Sequence, residues 1–452
     1  MTMVDKILAN LEKSNCAIDN TFMQAVSEVL HSLEPMVHGD PRLETYAILE
    51  RLVTPDRIIQ FKVQWVDDQN RVHINNGYRI QFNNALGPYK GGLRFHPSVS
   101  IGVLKFLAFE QIFKNALTGL PLGGAKGGSD FDPKGKSDFE IMKFCRAFMR
   151  ELHQYIGARI DVPAGDIGVG SREIGFLFGE YKRISRNYDG VLSGKPYTLG
   201  GSLMRPQATG YGVVYFASEM LKEELHESLE GKICAVSGAG NVAIHTIEKL
   251  EHFGARVITC SDSEGTIYDS RGIDLKVLKE LKDEERHQSL IHYIDFIPSA
   301  VYIKKEDYPS GGHAAWSYPC FAAFPCATQN ELSLIDAQML INNGVRAVVE
   351  GANMPTTPDA IDLFQKEGVL FAPGKAANAG GVAVSEFEMS QNASMEKWDF
   401  NKVDRKLSEI MRHIYKRISL TAKEYGQERN FVDGANIAAF KRVAEAMLLE
   451  GV

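Results

Sequence analysis

"KICAVSGAGNVAIHTIEKLEHFGARVITCSD", residues 232–262, decides the fold. It reads as strand, tight turn, helix and second strand. The turn is Gly238-Ala239-Gly240-Asn241-Val242-Ala243, the G-x-G-x-x-G/A pattern of a dinucleotide site. Gly238 permits the tight turn, Gly240 lets backbone approach a pyrophosphate, and Ala243 lets helix and strand pack closely. A pyrophosphate then meets free N–H groups and the positive end of the helix dipole. Asp262 follows about 20 residues later, at the end of the next strand. Further buried strands are expected in "VRAVVEGAN" (345–353) and "GVLFAPG" (368–374). Strands alternating with helices are the grammar of an open parallel sheet. The cofactor is less clear from residues alone. Asp262 suits a ribose 2′-hydroxyl, hence NAD. Its neighbours Ser261 and Ser263, with Lys282 and Arg286 downstream, suit a 2′-phosphate, hence NADP.

Outward from this stretch, the chain of 452 residues has room for two or three domains. Its formal charge of -7 and pI near 6.0 supply no overall basic field, so nucleic acid is not expected as a partner. No apolar run reaches the ~18–20 residues of a membrane-spanning helix. The opening residues lack the apolar core of a secretory signal. Six cysteines (16, 145, 234, 260, 320 and 326) form no C-x-x-C pair and read as buried reduced thiols of a cytoplasmic protein, though 320 and 326 lie near enough in sequence to pair.

Before residue 190 the text differs. Residues 3–34 read as amphipathic helix. "IIQFKVQWVD" and "RVHINNGYRIQFN" alternate apolar and polar residues and predict antiparallel or mixed strands. "SVSIGVLKFLAFEQIFKNALTG" predicts a long helix opened by Ser98 or Ser100 and closed by Gly119. "SDFEIMKFCRAFMRELHQYIG" predicts another, ended by Gly157. Segments that read as glycine-rich loops hold Lys90 and Arg94 ("GPYKGGLRFHP"), Lys126 ("GLPLGGAKGGSD") and Asp166 ("DVPAGDIGVG"). The Lys126 segment is not a phosphate loop, which needs Gly before the lysine and Ser or Thr after it. Gln111 and Lys114 lie three apart and share a helix face. They either snorkel to water or line a cleft. Lysines gathered in a dry cleft repel one another, lose hydration and lose basicity. Such a group suits a small anion with more than one carboxylate, and a nearby aspartate can move protons. "DYPSGGHAAWSYPC" (307–320) reads as a surface loop.

Six segments in order resemble the hexameric glutamate dehydrogenases: "GPYKGGLRFHP", "FEQIFKNALTGLPLGGAKGG", "VPAGDIGVG", "RPQATGYG", "GAGNVA" and "GKAANAGGVAVSEFEMSQN". The resemblance implies an α/β protein. An N-terminal oligomerisation and substrate domain would span 1–200, with a C-terminal return at 426–452. A Rossmann-like dinucleotide domain would span 201–425. It implies Lys126 and Asp166 as catalytic residues, and Gln111, Lys114 and the Gly165 backbone around the α-carboxylate and amine. Lys90 and Ser385 would bind the side-chain carboxylate. Relatives acting on leucine, phenylalanine or valine carry apolar residues at those last two positions. Cofactor contacts would come from Thr209, Gly238, Gly240, Asn241, Val242, Ser261, Asp262 and Asn378, with Arg94 and Lys134 near a 2′-phosphate. "SDSEG" (261–265) resembles the NADP-using members. The implied reaction is reversible oxidative deamination of glutamate to 2-oxoglutarate and ammonium with NADP, without a metal, in a cytoplasmic homohexamer. NAD dependence, or a branched-chain or aromatic amino-acid substrate, are the alternatives.

Overall fold

The computed structural model describes residues 2–13, 20–37, 39–283 and 288–452. Cys16 and Arg286 lie outside the described residues. Two units emerge. One comprises Met1–Arg205, Val382–Asp404 and Asn436–Val452; the other comprises Pro206–Gly381 and Arg405–Ala435. The chain thus leaves and re-enters the first unit twice. The expected segments 1–200, 201–425 and 426–452 do not include the crossing at 382–404.

The first unit is built on five strands: β1 (Arg57–Val66), β2 (Val72–Asn83), β3 (Tyr89–Phe95), β4 (Gly124–Ser129) and β5 (Asp161–Gly165). Their order is β1-β2-β4-β3-β5. The β1–β2 and β2–β4 pairs are antiparallel, and β3 is parallel to both β4 and β5, so the sheet is mixed. The glycine-rich segments of Lys90 and Lys126 are therefore strands, not loops. The long helix Ile101–Leu117 explains why: a Cβ on Gly124 would sit 2.5 Å from Ile112 Cγ1. Glycine clears the surface on which that helix lies.

Ser100 caps the helix, its Oγ accepting from Val103 N at 3.3 Å. At the other end Arg442 donates to the carbonyls of Ala116, Gly119 and Leu120 at 2.8–3.0 Å. A cation there meets the orphan carbonyls and the negative end of the dipole. Helix Asp138–Leu152 opens with a capping box of Ser137 and Glu140 and passes into a 3₁₀ turn before Gly157. The expected N-terminal helix is found as Met3–Lys13 and Asn20–Ser32. The core under β1 and β3 is aromatic. Phe131 stacks on Phe144 at 3.8 Å, and Trp65 and Phe95 meet both edge-on.

The second unit has seven strands: β6 (Ile233–Val236), β7 (Arg256–Ser261), β8 (Gly265–Tyr268), β9 (Val301–Lys304), β10 (Ala322–Phe324), β11 (Ala347–Val349) and β12 (Leu370–Ala372). The order is β12-β11-β10-β6-β7-β8-β9. It is parallel from β12 to β7, and β8 and β9 add an antiparallel edge. Residues 307–320 are a surface loop only in part: 307 and 309–311 are exposed, but 314–316 turn into the core. Trp316 is fully buried against Ala235, Ala323 and Phe371, because the helical turn Ala314–Trp316 turns its ring inward. Cys320 and Cys326 are not paired; the five described cysteines are free and buried.

One ion pair ties the first sheet together out of water. Arg79 on β2 donates from Nε to Asp161 Oδ2 at 2.8 Å and from Nη2 to Asp161 Oδ1, while Nη1 reaches the Gly91 carbonyl at 3.2 Å. Both side chains are 0% exposed. Removing one partner strands the other charge. Asp161→Asn should therefore cost about 3–5 kcal/mol and lower the melting temperature. The double variant Arg79→Met, Asp161→Leu should recover part of the loss. Thermal denaturation of the three proteins checks this.

Candidate active site

Side chains alternate along a strand, so Lys90, Gly92 and Arg94 share one face of β3. Gly92 is the gap between the two cations. A Cβ placed there would lie 2.8 Å from Asp166 Cβ, 3.0 Å from the Gly165 carbonyl oxygen and 3.2 Å from Lys126 Nζ. Lys126, Asp166 and Gly165 thus converge over that position. Lys126 Nζ lies 3.1 Å from Asp166 Oδ2, and Arg94 Nε donates to the same oxygen at 2.8 Å. Burial lowers the basicity of the Lys126 ammonium; Asp166 opposes this and Arg94 adds to it. Burial alone would raise the Asp166 carboxyl, but Lys126 and Arg94 bring it below the usual carboxylate range. Lys114, near the end of the long helix, is pulled down to about 8 by burial and by Lys126. Its ammonium is buried within electrostatic reach of Lys126 instead of snorkelling to water. Gln111 donates to Asn115 at 2.7 Å, and its Cγ lies beside Gly91.

A second cationic group adjoins this one. Lys90, 1% exposed, donates to Ser193 Oγ at 2.7 Å. It is pulled down to about 7 by burial, then by the charges of Arg205 and Arg79. Arg205 Nε donates to Ser385 Oγ at 3.2 Å. Arg205 also acts on Lys114, so the groups share one field. Ser193 and Arg205 were missed from the sequence. The signal was slight: an arginine before proline in "RPQATGYG" and a serine in a Gly/Pro-rich segment. Lys134 is exposed, between β4 and helix Asp138–Leu152. Arg94 is engaged by Asp166.

The second unit carries the dinucleotide elements. Gly238 has φ 84 and lies 3.0 Å, measured from a built Cβ, from the Cys326 carbonyl, so an L side chain there is strained. Gly240 caps helix Asn241–His252, and a Cβ on it would meet nothing within 4 Å. Asn241 is exposed beside it, Val242 is half-buried, and Ala243 is fully buried. Thr209 lies in the first turn of helix Ala208–Leu225. Asn378 donates to Asn353 Oδ1 at 2.9 Å and to the carbonyls of Gly351 and Ala352, while its own Oδ1 is buried without a hydrogen-bond partner. An open helix N-terminus and an orphaned amide oxygen fit a dinucleotide.

Ser261 Oγ accepts from Gly238 N at 2.9 Å and so braces the turn. Asp262 is fully engaged. Lys282 Nζ lies 2.8 Å from its Oδ2, Leu290 N donates to the same oxygen, and Glu264 N and Gly265 N donate to Oδ1. Those donors outweigh burial and hold the carboxyl below its usual range. A carboxylate neutralised in this way neither seeks a ribose hydroxyl nor strongly repels a phosphate. Among the described residues, no group of three or more His, Cys, Asp and Glu side chains is placed to hold a metal, and no helix is long and apolar enough to cross a membrane.

A parallel-sheet dinucleotide unit, joined in one chain to a buried cluster of cations around an aspartate, defines a nicotinamide-dependent oxidoreductase of anionic substrates. The chain belongs to the glutamate/leucine/phenylalanine/valine dehydrogenase family. The family's profile matches residues 200–451, and that of its dimerisation domain matches residues 55–183. The chain is 58% identical over 449 residues to the NADP-specific glutamate dehydrogenase of Helicobacter pylori, covering 99% of this chain and 100% of that one. It is 54% identical to the NADP-specific glutamate dehydrogenase of Escherichia coli, with 95% of each chain covered. Among solved structures, Plasmodium falciparum glutamate dehydrogenase matches with a TM-score of 0.95 at 48% identity, over 99% of this chain and 94% of that one.

The convergence over Gly92 yields a direct test. Gly92→Ala must displace Asp166 and the Gly165 carbonyl, and with them the Lys126–Asp166 pair. Dehydrogenase turnover should fall about 100-fold, and the melting temperature should fall as β5 is pushed from β3. Initial rates and thermal denaturation measure both.

Proposed function

We propose that the chain catalyses reversible oxidative deamination of L-glutamate: glutamate, water and NADP⁺ interconvert with 2-oxoglutarate, ammonium, NADPH and a proton. The observation that carries this reading is the pairing of two buried cationic groups, one around Asp166 and one around Ser193 and Ser385. A substrate with carboxylates at both ends satisfies both groups. An aliphatic side chain would leave Lys90 and Arg205 buried without a substrate carboxylate to bind. The NADP-specific glutamate dehydrogenases that the chain resembles support the same substrate and cofactor.

Bound nicotinamide supplies the acceptor for hydride from the α-carbon. The chain's own groups do the rest. Lys114 and Gln111 bind the α-carboxylate, and the Gly165 carbonyl accepts from the substrate amine. Lys126 promotes attack of water on the imine and stabilises charge on the oxygen. Burial and Arg94 make its proton easier to release. Asp166, within 3.1 Å of that ammonium, moves protons to and from the nitrogen. Lys90 and Ser385, with Arg205 and Ser193, bind the distal carboxylate.

In the second unit Thr209, Gly238, Gly240, Asn241, Val242 and Asn378 would hold the cofactor. Lys282, with Asp262 neutralised beside it and Ser261 bracing the turn, supports NADP over NAD. Arg94 and Lys134 are proposed at most as secondary contacts to the 2′-phosphate, since Arg94 is bound to Asp166. A homohexamer in the cytoplasm completes the proposal. A dimerisation-domain match over residues 55–183, exposed Val72 and Ile74 on β2, and five free buried thiols support it.

Substrate choice is the test. Lys90→Leu with Ser385→Val should cut kcat/KM for glutamate by about 10⁴-fold or more and raise activity toward L-norvaline. Steady-state kinetics with both amino acids decide it; glutamate kinetics like those of the wild type would sink the pocket assignment.

A further inference from the structure

Behind the second cationic group lies an ion pair that the reaction scheme does not use. Glu388 Oε1 is 2.7 Å from Lys195 Nζ, with 0% and 1% side-chain exposure. Glu388 also accepts from the backbone N–H of Gly194 at 2.9 Å and of Lys195 at 3.3 Å. Lys195 Nζ reaches the Leu192 carbonyl, and Phe178 presents its ring 5.5 Å away. The carboxylate is held by three donors, one of them charged. A buried pair of this kind is weak evidence for stability by itself.

Its position is specific. Glu388 follows Ser385 by three residues on helix Gly380–Ser394, so both lie on one helix face. Gln391, three further on, continues this buried polar stripe and donates to Ser202 Oγ at 2.9 Å. Lys195 follows Ser193 by two residues, and Ser193 receives Lys90. The ion pair therefore joins the element carrying one pocket hydroxyl to the segment carrying the other. Glu388 is also the anion opposing the two cations: its charge favours the protonated forms of both Lys90 and Arg205.

We propose that Glu388, clamped by Lys195, is a positioning residue of the distal-carboxylate pocket, tying the helix that carries Ser385 to the segment that carries Ser193 and setting a negative charge beside the pocket's cations. This rests on the glutamate reading above. The charged groups facing Lys90 are Arg205, Arg79, Glu388 and Asp161. Burial and the two arginines lower its basicity, and the two carboxylates raise it. Removing Glu388's charge lowers it further. Only the ammonium form binds a carboxylate, so recognition of glutamate is lost as pH rises through that value, and is lost earlier without Glu388.

The test is a pH profile of kcat/KM for Glu388→Gln, with NADP⁺ and either glutamate or L-norvaline, whose side chain ends in a methyl group. For glutamate we expect a loss of roughly tenfold, mostly in KM, with the alkaline limb about one pH unit lower. Norvaline should change less than about threefold. The double variant Lys195→Met, Glu388→Gln strands no charge; its limb should lie between those of the single variant and the wild type. It serves alone if the single variant does not fold. A limb at the wild-type pH, or equal losses for both amino acids, would overturn the proposal. Wild-type enzyme inactive on glutamate would instead overturn the functional reading beneath it.

Discussion

Burying several like charges on one sheet face is the constraint on which the substrate unit depends. Lys126 and Arg94 share the Asp166 carboxylate, while among the described residues Lys90 has a serine hydroxyl as its direct partner. Without a ligand the cluster is short of negative charge. Burial and mutual repulsion accordingly pull Lys114 to about 8 and Lys90 to about 7. Around the cluster, the Arg79–Asp161 pair joins β2 to β5, and the Lys195–Glu388 pair joins the segment of Ser193 to the helix of Ser385. On the proposed reading, a dicarboxylate supplies the missing negative charge at both cationic groups. Chemistry, specificity and pH response then follow from one electrostatic deficit.

The nucleotide unit solves its own charge problem differently. Asp262 is the one feature that speaks against a 2′-phosphate, yet four donors engage its oxygens and Lys282 cancels its charge. A motif residue can thus keep its place in sequence while its neighbours change what it reads. Asn378 shows the converse. Its amide nitrogen is fully used by backbone and Asn353, which leaves the oxygen oriented and unpartnered.

Much of this was legible in the chain. The Gly238–Ala243 turn announced the parallel sheet because its glycines answer local backbone demands. Lys90, Lys126 and Asp166 stood out because charged residues among glycines and apolar neighbours have no ordinary surface role, whereas Lys114 was singled out by the family resemblance. What escaped notice depended on long-range placement. The glycines around Lys126 looked like a loop; only contact with Ile112 shows why a strand needs them. β10 spans only three residues, too few for periodicity to reveal a strand. Trp316 gave no sign of turning inward. Arg205 and Ser193 are ordinary residues until the chain brings them beside Lys90 and Ser385. The stripe Ser385, Glu388, Gln391 was readable as a helix face, but its polarity suggests solvent rather than a buried wall.

The most direct measurement is calorimetry of 2-oxoglutarate binding at pH 8 in buffers of different ionisation enthalpy. At that pH Lys90 and Lys114 are partly neutral in the free protein, and a bound dianion favours their charged forms. The account predicts uptake of roughly one proton per site, shrinking toward pH 6. Binding with a heat independent of buffer, or accompanied by proton release, would contradict it.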